Sequence, residues 1–130
     1  MSASSPHISG VDFVTVFVED FAAASEFYGT TLGLPCSARY ERIPGAEFET
    51  GNLTLQVLDS AAVGRPFVPS GHPIALHVDD VEAARAGLEA QGVSFGADTM
   101  DSGVCHMAFF TDPDGNALLL HHRYQPRDAD

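Results

Sequence analysis

Residues 11–18 carry aliphatic and aromatic side chains in a β-rich, period-two pattern and predict a strand. The run ends at Asp20, whose carboxylate suits a helix N-cap, and Phe21, Ala24, Tyr28 and Leu32 then recur at helical spacing on one face. Gly33 supplies a left-handed stop and Pro35 prevents continuation. Three short strands are predicted next, at 36–42, 46–50 and 53–58, with turns at Pro44-Gly45 and Gly51-Asn52. Residues 59–71, which hold Gly64, Pro66, Pro69 and Gly71, read as a linker.

The order then starts again. A strand at 74–79 leads to Asp80 as the cap of a second helix, with Val81, Ala84 and Leu88 as its buried stripe and Gly92 as its end. Strands near 93–95, 104–111 and 116–123 follow, and Asp112-Pro113-Asp114-Gly115 makes a tight turn before the last. Val16-Phe17-Val18-Glu19-Asp20-Phe21-Ala22-Ala23-Ala24 lines up with Leu76-His77-Val78-Asp79-Asp80-Val81-Glu82-Ala83-Ala84. Because element order and caps both recur, the chain reads as one β-α-β-β-β module made twice, an α+β fold. The expected organisation is a single domain over 8–124, with module one at 8–58, the linker at 59–71, module two at 72–124, and flexible tails at 1–7 and 125–130.

Strand alternation divides each sheet into two faces. Val14, Val16 and Val18, with Leu53, Leu55 and Val57, Ile74, Leu76 and Val78, and Leu118 and Leu120, form clean aliphatic sets expected to pack beneath the helices. The opposite sets are Phe13, Thr15 and Phe17; Thr54, Gln56 and Leu58; Pro73, Ala75 and His77; and Ala117, Leu119, His121 and Arg123. That second face mixes aromatic, polar and ionisable groups, as a ligand pocket does.

SEFYGTTLGL, PIALHVDDVEAARAGLEAQGV and FFTDPDGNALLL resemble, in that order, the first helix, the second-module opening and the last hairpin of the vicinal-oxygen-chelate family, which includes glyoxalase, bleomycin-resistance and extradiol-dioxygenase proteins. The resemblance covers residues 8 to 124. It implies two modules whose sheets form a half-open mixed-sheet cup for a small molecule, and a homodimer. It also implies a divalent metal held by one side chain from the first and last strand of each module. Those four positions fall on Phe13, Gln56, Pro73 and Leu119. Only Gln56 has a lone pair to offer, so the usual site is expected to be missing and no cofactor is expected. A one-residue slip would bring in His72 but would turn Ile74, Leu76 and Val78 into the cup.

Composition narrows the partners. A formal charge of −12, from 18 acids and six Lys or Arg, repels nucleic-acid phosphates and anionic lipid. No apolar run has the length of a membrane span and no signal peptide precedes the repeat, so a cytoplasmic protein with Cys36 and Cys105 reduced is expected. Nine Phe and no Trp suit a pocket for an apolar or aromatic molecule.

Expected ligand contacts are Phe13, Thr15, Phe17, Thr54, Gln56, His77, His106, Leu119 and His121. His77 and His121 are also the candidate acid–base residues, since imidazole titrates near neutrality. Cys105 and His106 are adjacent on a strand and point apart, so they do not make a nucleophile–base pair. Arg39, Tyr40 and Arg42 fall near a cup edge in the family fold, and Glu47 and Glu49 share one strand face, solvated or open to a cationic ligand; Phe109 and Phe110 are divided between stacking and core. The leading expectation is sequestration of a small organic molecule, an antibiotic for example, without the usual metal. The alternative is a lyase, isomerase or dioxygenase-type enzyme that uses the cup histidines or an unconventional metal site.

Overall fold

In the computed structural model, which describes residues 5–127, the alternating run becomes β1 (Phe13–Val18) and Asp20 caps the helix behind it. The Asp20 side chain accepts from the Ala23 N–H at 3.1 Å and starts α1 (Phe21–Glu26). The strands β2 (Cys36–Arg39), β3 (Gly45–Glu49) and β4 (Thr54–Asp59) follow. Module two repeats the order with β5 (Ile74–His77), α2 (Val81–Ala90), β6 (Met100–Asp101), β7 (Cys105–Thr111) and β8 (Ala117–Arg123). Of the two predicted tails, residues 1–4 and 128–130 lie outside the described residues.

The strands make two four-stranded mixed sheets, ordered β1-β4-β3-β2 and β5-β8-β7-β6. The helix of each module carries the chain across, so the first strand runs parallel to the last while the rest are antiparallel. The register pairs Val14 with Leu55 and Val16 with Val57 in one sheet, and Ile74 with Leu118 and Leu76 with Leu120 in the other. Side chains of the aliphatic faces therefore meet across strands, and Val16, Val18, Leu55, Val57, Leu118 and Leu120 join one core with Ala108 and Phe110. Val14 lies at the exposed start of its strand, and Ile74, Leu76 and Val78 are only partly covered.

The first helix departs from its predicted form. After α1 the backbone widens into a π-helical segment, Phe27–Thr31, closed by the Leu32 N–H on the Phe27 carbonyl at 2.8 Å. The wider turn lets two consecutive aromatics, Phe27 and Tyr28, both enter the core, edge to face at 5.4 Å. The strand predicted near 93–95 does not form. Val93 and Phe95 instead pack partly buried against the core, Phe95 at 5.1 Å from Phe110, and the short edge strand comes later, at Met100–Asp101. Within the linker, Ala61–Val63 makes one 3₁₀ turn.

The Asp112–Asn116 turn fastens module two to module one. Asp114 accepts from the N–H groups of Glu19 and Asp20 at 2.7 and 3.0 Å, at the start of α1. The buried Asp112 carboxylate accepts from the Tyr28 hydroxyl at 2.8 Å, the Asn116 amide at 2.8 Å, and the backbone N–H groups of Asp114 and Asn116. Asn116 also donates to the Phe17 carbonyl at 2.9 Å and accepts from Ser70 N–H at 2.8 Å. Buried polar groups satisfied this fully act as a joint between the halves rather than a cost. Burial, then the Asp112 carboxylate, holds the Tyr28 phenol protonated far above the usual tyrosine range.

Candidate functional site

On sheet one the face turned away from the core is built in rows set by strand register. Thr15 pairs with Gln56 and Gln56 with Glu47, so three polar side chains stand abreast on β1, β4 and β3. They are bonded in series. The Thr15 hydroxyl donates to the Gln56 amide oxygen at 2.7 Å, the Gln56 amide donates to the Tyr40 hydroxyl at 2.9 Å, and Tyr40 donates to Glu47. Partial burial, then the bond to Glu47, raises the Tyr40 phenol above its usual range.

The adjoining rows frame this polar line. Phe13, Thr54 and Glu49 stand abreast, and the Glu49 carboxylate accepts from Ser37 and Thr54, which lowers its pKa below the usual carboxylate range. On the other side Phe17 pairs with Leu58 and Leu58 with Gly45, and the Arg65 guanidinium lies 4.5 Å from the Phe17 ring centre. Gly45 is required here by space. A Cβ at that position would lie 2.5 Å from the Tyr40 ring and 2.7 Å from Leu58.

On sheet two the corresponding face is less polar. Register places Ala75 beside Leu119 and Phe109, and His77 beside His121 and Met107. Leu119 is buried and Phe109 is 40% exposed, while Phe110 sits in the core. His121 is half-buried; the His77 ring packs instead against His122, centroids 5.9 Å apart, with Nε2 3.2 Å from Asp79. His106, paired in register with His122, stacks on Tyr124 at 4.8 Å and points Nε2 toward Asp101 at 3.4 Å. Cys36 and Cys105 are free thiols on different sheets, and Cys105 is only half-buried rather than a core residue. Arg39 reaches the Ser25 hydroxyl on α1 rather than the row containing Tyr40.

Two cavities adjoin these faces. A cavity of about 420 Å³ runs along the seam between β1 and the starts of β5 and β8, and it gathers Thr15, Phe17, Arg65, His72, Pro73 and Ala117. Another, of about 410 Å³, lies beside α2 among Leu32, Leu53, Leu76, Gly87 and Leu88, with His77 at its wall. Its origin is in the repeat. The alignment that pairs Val16–Ala24 with Leu76–Ala84 sets Phe27 and Tyr28 of module one opposite Gly87 and Leu88 of module two. Two large rings are replaced by a hydrogen and a leucine, and a Cβ on Gly87 would meet nothing within 4 Å.

The side chains at the four positions that the resemblance assigns to metal ligands are a poor donor set. Phe13 is 53% exposed, Leu119 is buried, Pro73 has no donor, and Gln56 is committed to Thr15 and Tyr40. Three features are not legible in the sequence: Tyr40 as the end of the Gln56 row, Arg65 over Phe17, and the meeting of His77 with Asp79 and His122. The first could be sought in the Pro44-Gly45 turn that makes room for Tyr40; the others depend on loops and strand ends, where alternation gives no guide.

Among the described residues no helix is long and apolar enough to cross a membrane. No curated protein matches the chain. Solved structures do. The antibiotic binding protein TnmS3 from Streptomyces sp. CB03234 is 28% identical, with 95% of this chain and 100% of that one covered and a TM-score of 0.76. A superfamily member from Sphaerobacter thermophilus is 24% identical over 88% of this chain and 97% of its own, TM-score 0.76. A putative glyoxalase family protein from Bacillus anthracis is 21% identical over 92% and 99%, TM-score 0.78. The model of the Glyoxalase/Bleomycin resistance protein/Dioxygenase superfamily matches residues 10–120. With its two β-α-β-β-β modules in place, the chain belongs to that superfamily.

Proposed function

We propose that this protein binds a small, largely apolar or aromatic organic molecule, an antibiotic among the candidates, in the seam between β1 and module two, and sequesters it without chemical change. The observation that carries this reading is the seam cavity of about 420 Å³, whose β1 wall offers Phe17 for stacking and Thr15 for hydrogen bonding. The volume lies within the range of small-molecule sites, roughly 300–1,000 Å³. Thr15 is held by Gln56, and Gln56 by Tyr40, so the polar wall is already oriented before a ligand arrives. Arg65 over Phe17 supplies a cation at the rim for an anionic or phenolic oxygen on the ligand.

The antibiotic-binding relative supports the ligand class. The apolar residues at three of the four family ligand positions support binding without the usual metal. A homodimer completes this reading. Phe13 and Phe109, 53% and 40% exposed on the outward sheet faces, need a second surface to become walls of an enclosed site. The cavity beside α2 is assigned to packing, since the missing Phe27 and Tyr28 counterparts account for it. Calorimetric titration with a panel of planar aromatic antibiotics, followed by mass analysis of the recovered compound, tests the proposal. Binding with the compound recovered intact is expected; no binding across the panel, or conversion to product, rejects it.

A further inference from the structure

We infer that His77, Asp79 and His122 form a divalent transition-metal site at the carboxyl end of β5, separate from the positions the superfamily uses. One donor atom from each of the three lies within 4.8 Å of the others, close enough for a single ion to bridge them. The His77 Nε2 is already 3.2 Å from an Asp79 oxygen, and the two imidazole rings are 5.9 Å apart. Strand alternation alone would keep His122 away from His77, because His77 pairs in register with His121. They meet where β5 ends and the chain turns toward the Asp80 cap of α2.

A second observation points the same way. The Nδ1 atom of His122 is buried and has no hydrogen-bond partner among the described residues. A ring nitrogen left without a partner carries a desolvation cost. Binding an ion through either ring nitrogen fixes the tautomer of the other, so coordination would give this ring one defined state.

The donor set selects the ion. Two imidazoles and one carboxylate favour Zn(II), Co(II), Ni(II) or Cu(II) over Mg(II) and Ca(II), which prefer oxygen shells. Three protein donors leave at least one coordination position for water or a ligand oxygen. The surrounding charge is also favourable, since the chain is formally −12 and any cation gains from its field. His77 lines the cavity beside α2 as well, so the ion would stand at the edge of that cavity.

The test is titration of the chelator-stripped protein with Co(II), read by its visible d–d absorption and by calorimetry, with Zn(II) as competitor. The expected result is one equivalent per chain, displaced by Zn(II) and released by chelator. His77→Ala and Asp79→Asn are at exposed positions and leave the fold intact, which thermal melts verify; each should weaken Co(II) binding by about tenfold or more. His7→Ala, outside the group, should leave it unchanged. No stoichiometric Co(II) uptake, uptake that His77→Ala leaves unaltered, or uptake lost in His7→Ala would overturn the assignment.

Discussion

Tyr28 shows how one side chain sets the character of the whole. Its ring closes the core of module one, and its hydroxyl is the only side chain of module one on the Asp112 carboxylate among the described residues. Tyr28→Phe keeps the packing but removes a hydrogen bond from a buried carboxylate, so a loss of roughly 1–3 kcal/mol in denaturant unfolding is expected. The pH response follows from the raised phenol pKa. Tyr28 cannot ionise while folded, whereas it ionises near pH ~10 once unfolded. Its contribution is therefore complete below that pH and declines as pH rises beyond it; Tyr28→Phe should flatten the alkaline fall in melting temperature. At the site, Gly45→Ala is the sharper probe. The added methyl collides with Tyr40 and Leu58, so it should shift Tyr40 off Gln56 and weaken ligand binding with little change in secondary structure by circular dichroism.

Among the elements, the caps and the aliphatic strand faces were legible because they depend on nearest neighbours and on a strict period of two. Asp20 and Asp80 both cap as their positions predict, each accepting from an N–H three residues on. Where packing between distant elements decides, the sequence is silent. Nothing local in Phe27-Tyr28-Gly29 announces a π-helical turn; the need to bury two adjacent rings produces it. Phe95 likewise leaves its predicted strand because Phe110 offers a better surface than an edge pairing. The rows at the candidate site were half legible. Alternation placed Thr15 and Gln56 on one face, but the arrival of Glu47 beside Gln56 depends on strand pairing, and the bonding of Gln56 to Tyr40 depends on a loop. The repeat gives a further test on α2. Gly87→Ala adds a methyl into open space within a helix and should stabilise the protein by roughly 0.5–1 kcal/mol. A bulkier Gly87→Leu should narrow the cavity beside α2 and leave binding at the seam unchanged. Reduced antibiotic affinity in that variant would move the ligand to the α2 cavity.

For the whole molecule, the two sheets share a core while their other faces carry aromatic groups outward, Phe13 on one and Phe109 on the other. Covering these faces in a homodimer predicts that sedimentation will show concentration-dependent association, weakened by Phe13→Glu. The strongly negative surface opposes association, so added salt should favour the dimer. The proposed ligand seat is the seam between the modules, with a wall prearranged by Thr15, Gln56 and Tyr40. Calorimetric titration of a planar aromatic antibiotic into the wild-type protein and into Gln56→Ala tests it most directly. Saturable binding is expected, with the compound recovered unchanged and an affinity about tenfold weaker in the variant, the scale of one well-placed hydrogen bond. Equal affinity in the two proteins would contradict it.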